Sequence, residues 1–67
     1  MARERAIGAL EARRNSVLLV LRSRFGDAVP KELRARIDSE TDHETLSFWL
    51  RLAVFSDLRT VSDAVLG

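Results

Sequence analysis

Apolar positions recur at three- and four-residue intervals along nearly the whole chain, and no stretch keeps the two-residue alternation of a half-buried strand. The pattern predicts an all-α fold: one long N-terminal helix followed by three shorter ones. Residues 2–25 are rich in Ala, Arg, Glu and Leu, with no proline and no interior β-branched run to oppose a helix. Ile7, Leu10, Val17, Leu18, Leu21 and Phe25 fall on one stripe of about 100°, with Arg14 interrupting it. From Val17 to Leu21 the helix is apolar almost all round, which predicts deep cover. Its first half has only Ile7 and Leu10 to bury, and at 1.5 Å per residue the whole helix runs ~35 Å, longer than a small globule covers. Residues 1–16 are therefore expected to form a charged helical stalk that projects or pairs with a second chain, and residues 17–67 the helical domain.

Gly26 follows the last apolar position of this helix and is the natural left-handed cap, because a residue without Cβ takes positive φ at little cost. Val29 before Pro30 is pushed towards extended backbone, and Pro30 suits a first helical position. A short helix from Pro30 to about Ser39 would turn Leu33 and Ile37 to the core. Thr41 with Glu44 three residues on reads as a capping box for the third helix, and Thr60 with Asp63 as a similar start for a last one in which Val61 and Val65 stack.

The third helix, Thr41 to Phe55, has apolar side chains on two sides. Leu46, Trp49, Leu50, Ala53 and Val54 share one face, while Phe48, Leu52 and Phe55 gather about 150° away. One face makes a core and the other needs a partner. Trp49 is expected in the core against Leu21, Leu33 and Ile37. The second face is covered either by another copy of the chain or by the last helix folding over it.

Size adds weight to association, since a chain of 67 residues that balances apolar burial against chain entropy ends near zero stability. With no cysteine and His43 as the only histidine, neither a disulfide nor a structural zinc is expected to support it, and no cofactor is expected. The composition suits a reducing interior and no N-terminal stretch has the order of a signal peptide, so the expected location is the cytoplasm. The longest aliphatic run, Val17 to Leu21, is far short of the ~20 residues of a membrane span. We therefore expect a homo-oligomer, specifically a dimer, held by Ile7, Leu10, Arg14, Val17, Leu21, Phe48, Leu52 and Phe55. Arg14 would pair across the interface with a carboxylate such as Glu11 of the other chain and set register.

Charge raises one competing reading. The first 24 residues carry a net +4 and the remainder −3, an asymmetry that suits a nucleic-acid arm as well as a solvated helix. Reading the second and third helices as a helix-turn-helix would push Asp42 and Glu44 into a phosphate-lined groove, where they are repelled. What survives is weak, sequence-independent phosphate contact through Arg3, Arg5, Arg13 and Arg14, which do not share one face. Catalysis is not expected: His43 and Glu44 point 100° apart, no nucleophile sits on a strained turn, and acids in a first turn are explained by the helix dipole.

The order Leu18-Leu19-Val20-Leu21, Arg24-Phe25-Gly26, Pro30, Leu33-Arg34-Ala35-Arg36-Ile37, Thr45-Leu46, Trp49-Leu50, Ala53 and a final Val-rich helix resembles the small helical domain of unknown function found after PD-(D/E)XK transposase-like, recombination-promoting nuclease domains of bacterial proteins. The resemblance covers about Val17 to Leu66. It implies an accessory or assembly module with no catalytic residue of its own, preceded by a charged helical segment such as Met1 to Arg14. Phe48 and Leu52 stand where such domains carry polar residues, which implies an added apolar contact surface. On this footing the expected function is a non-catalytic self-association module that assembles or regulates a nuclease-like partner carrying the same domain.

Overall fold

The computed structural model describes the backbone of residues 2–67 and the side chains of residues 8–67. Four helices follow one another: α1 (Ala2–Phe25), α2 (Lys31–Ser39), α3 (His43–Phe55) and α4 (Leu58–Leu66), with a single 3-10 turn, Gly26–Ala28, between the first two. No strand occurs among the described residues. The molecule measures 38 × 21 × 20 Å, and the 24 residues of α1, at 1.5 Å each, account for the long dimension.

Each helix begins and ends for a local reason. Gly26 has φ 57°, the left-handed conformation expected of it, and the chain reverses there. Pro30, with φ −66° and ψ 151°, is the residue before α2. Asp42 and Asp57 cap α3 and α4: each carboxylate accepts the backbone N–H of the threonine three residues on, at 3.1 Å from Thr45 and 2.8 Å from Thr60. These caps correct the expected boundaries. Thr41 stays exposed outside α3, and Thr60 lies inside α4, because an ionised carboxylate is the better acceptor for first-turn amides already polarised by the helix dipole.

The core is continuous through all four helices. Val17, Leu21, Val29, Leu33, Ile37, Leu46, Trp49, Ala53, Val61 and Val65 are buried. Leu33 with Ile37 and Val61 with Val65 are four-residue pairs, so each short helix inserts one stripe. Trp49 shares this core with Leu21, Leu33 and Ile37 as expected, and the Arg36 guanidinium lies 5.2 Å from its ring centroid, closing one edge with a cation–π contact.

Helix directions follow from two arginine ties. Arg14 donates from Nε to the Glu40 carbonyl at 2.7 Å, just before α3, whereas Arg24 donates to the carbonyls of Ala53, at 2.7 Å, and Ser56 at its end. Moving along α1 therefore means moving along α3 in the same direction, with α2 returning between the two ends. The α4 helix packs on α2 and α3. Both ties end on carbonyls at helix C-termini, which have no intrahelical donor and carry the negative end of the dipole. A cation from α1 thus closes each of the two helices that α1 supports.

Several placements differ from expectation. Val17 and Leu21 are 0% exposed inside one chain, so neither is available to an interface; the α1 stripe is consumed by α3. Arg14 is half-buried on the Glu40 carbonyl within its own chain, which gives it a partner other than the intermolecular carboxylate expected for it. Leu10 is half-buried and packs against the core, so contact with the body of the domain reaches into residues 1–16. The Ile7 side chain lies outside the described residues. Leu19, expected to be covered, is 66% exposed, and Val54, expected on the core face of α3, is 43% exposed.

Candidate functional site

The outer face of α3 is built by the same register that fills the core. Leu46, Trp49 and Ala53 point inward and are buried; at 100° per residue Phe48, Leu52 and Phe55 must then lie within about 60° of one another on a different side. Phe48 is 50% exposed and Phe55 82%. Leu52 is half-buried and packs on the edge of the core. Helix α4 contacts α3 without covering the two phenylalanines.

This face brings together three of the eight residues expected at an interface, Phe48, Leu52 and Phe55. The other five are dispersed, with Val17, Leu21 and Leu10 in or against the core, Arg14 on a helix end, and Ile7 outside the described side chains. Two residues flank the face that the sequence reading did not place at an interface. Glu44 and Arg51 are exposed, seven residues apart on the same edge of the strip, and neither forms an ion pair among the described residues, where the one such pair is Arg36–Glu40 at 2.8 Å. The signal that identifies them was present as spacing, since seven residues is nearly two helical turns.

Polar groups elsewhere are engaged in structure. Glu40 is the busiest: its side chain accepts from the backbone N–H groups of Thr41 and Asp42 at 3.0 Å each and pairs with Arg36, while its carbonyl takes Arg14. The Asp42 amide, foremost, and then Arg36 and the Thr41 amide hold the Glu40 carboxyl below its ordinary range, although partial desolvation opposes them. The Asp42 and Asp57 carboxyls are lowered chiefly by the hydroxyls of Thr45 and Thr60 and next by the amides of the same residues. These carboxylates act as caps. Among the described residues no three His, Cys, Asp or Glu side chains come together as a metal site, and no helix is long and apolar enough to cross a membrane.

Of the arginines offered for phosphate contact, Arg14 is tied to Glu40, Arg13 is exposed, and the side chains of Arg3 and Arg5 lie outside the described residues. A shallow groove of about 480 Å3 runs between α1 and the start of α2, with Leu18, Leu19 and Val29 as its floor and Arg22, Asp27 and Arg34 among its lining. Charges of both signs break its apolar area.

No protein-family model, curated protein or solved structure matches the chain.

Proposed function

We propose that this protein is a non-catalytic helical association module, in which the outer face of α3 joins the chain to a second copy or to the same domain in a larger, nuclease-like protein. The observation that carries this reading is Phe55, 82% exposed beside the half-exposed Phe48, on a helix whose core-facing side is already complete. Folding alone is served equally well by polar residues at both positions, and neighbouring exposed apolar side chains on a small domain mark a contact surface.

The strength of such a contact is bounded. Full burial of a Phe or Leu side chain is worth roughly 1.5–3 kcal/mol, but Leu52 and Phe48 are already partly covered, so each chain contributes about two side chains' worth. Association costs ~4–15 kcal/mol, which offsets most of the roughly 6–12 kcal/mol that two copies gain together, so the contact is a weak one. A contact of this strength works where the module is concentrated or tethered in several copies.

The test is mass in solution. Sedimentation equilibrium from about 10 µM to about 1 mM, a span that reaches weak contacts, should show the average mass rising from 7.6 kDa towards twice that value, and the rise should survive high salt, whereas phosphate contact falls steeply with salt. Phe55→Glu should hold the mass at one chain with helicity unchanged. A wild-type mass of one chain throughout would sink the proposal.

A further inference from the structure

The face left open on α3 is self-complementary in charge as well as apolar, and we infer that it pairs with a second copy of the chain in an antiparallel arrangement fixed by Glu44 and Arg51. This rests on the self-association reading above and adds the occupant, the direction and the register.

Taking Phe48 as the centre of the strip, Phe55 lies about 20° and Glu44 and Arg51 about 40° and 60° to one side, with Leu52 about 40° to the other. The acid and the base thus share an edge, about 10.5 Å apart along the axis, with Phe48 between them. Both are exposed and without an ion-pair partner among the described residues. A two-fold axis perpendicular to two antiparallel helices brings like edges together and reverses their order. With that axis passing beside Phe48, Glu44 of each chain lies level with Arg51 of the other, and the two Phe48 rings meet at the centre. One surface satisfies itself twice. A parallel pair related by two-fold symmetry about the helix direction instead brings Glu44 level with Glu44 and Arg51 level with Arg51.

A competing antiparallel register, its two-fold axis moved about one turn along the helix and the chains displaced by just over two turns, stacks Phe48 on Phe55 of the other chain. It gains ring contact, but it carries the two Arg51 side chains to the same level on the same edge, where like charges repel. The two registers therefore respond oppositely to loss of the Arg51 charge.

The experiment uses the full chain in five forms, wild type, Glu44→Arg, Arg51→Glu, the double variant and Arg51→Ala, with mass followed by sedimentation equilibrium at low salt and helicity by circular dichroism. Either single reversal turns two attractive pairs into two repulsive ones and should weaken self-association on the order of tenfold. The two single variants mixed in equal amounts restore both attractive pairs and should associate with each other as well as wild type does, and the double variant should recover with itself. Arg51→Ala should weaken association, whereas the Phe48-on-Phe55 register requires that it tighten. Rescue on mixing cannot come from a purely structural effect within one chain, such as loss of the first-turn acid of α3. If wild type associates but mixing gives no rescue, or Arg51→Ala tightens the pair, the register is overturned while self-association stands. If wild type does not associate, the underlying reading fails first and the register falls with it.

Discussion

The two sides of α3 are made from similar residues and do opposite things. On the inner side Leu46, Trp49 and Ala53 are at most 4% exposed, while on the outer side Phe48 and Phe55 are 50% and 82% exposed. Aromatic content does not distinguish them. What differs is whether another element reaches that side: α1, α2 and α4 converge on the inner face, and none of the described residues covers Phe48 and Phe55 on the outer one. Beyond the edge contact of Leu52 with the core, this apolar face adds little to folding, and that supports the contact surface proposed above.

The comparison is broken most severely from the inside. Trp49→Ala removes the largest core side chain and should cost about 3–5 kcal/mol, comparable to everything a domain of this size retains; the expected result is a chain with little helical signal at room temperature. A cooperatively folded Trp49→Ala variant with wild-type melting would show that the inner face is not what holds the fold.

Next in size are the ties from α1. Arg24→Ala frees the carbonyls of Ala53 and Ser56, and Arg14→Leu frees that of Glu40. Each should cost about 1–2 kcal/mol, since these are charge-assisted bonds in a half-exposed setting, and should lower the melting temperature by several degrees. A more stable Arg14→Leu protein would contradict this role and favour pairing between chains. Gly26→Ala should cost about 1 kcal/mol, because φ 57° is a conformation an L side chain adopts at a steric penalty.

Acid should act through the caps. The Glu40, Asp42 and Asp57 carboxyls hold protons less tightly in the folded chain than in the unfolded one, so the unfolded state takes up more protons as pH falls. Their stabilisation is fully present above the ordinary carboxylate range, about pH 4–4.5, and drains away below it as pH passes through the lower folded-state values. Thermal melts at decreasing pH should fall in that window, and the combined change Asp42→Asn with Asp57→Asn should flatten the fall. A melting temperature that does not drop below pH 4 would separate these caps from stability.

The smallest effect on folding sharpens the comparison most. Phe55→Glu should alter monomer stability by no more than about 0.5 kcal/mol, as an exposed substitution does, while abolishing the rise of mass with concentration. Substantial unfolding of that variant would mean that the outer face belongs to the core after all.

Much of this was legible because it is local. Gly26 ends α1 through its own backbone freedom, Leu33 with Ile37 and Val61 with Val65 define stripes by spacing alone, and both sides of α3 follow from a 100° step. The caps were only half legible: Thr41 and Asp42 are both competent acceptors next to the same helix, as are Asp57 and Thr60 at the next, and the choice between them depends on where the chain turns. The exposure of Leu19 was not legible, since its apolar surroundings along α1 carry no information about how far the other helices cover it.

Sequence by itself determined four helices, their approximate ends, a core around Trp49 and a second apolar strip on α3, all of which follow from periodicities and turn chemistry within a few residues. Only the tertiary structure decided which apolar stripe is used up in folding and what the arginines of α1 do. The α1 stripe, read as an interface, is buried by α3; Arg14 and Arg24 close helix ends 26 and 29 residues away. The physical reason is that an orphan carbonyl at a helix terminus accepts whichever donor the packing brings near, and sequence spacing does not encode that distance.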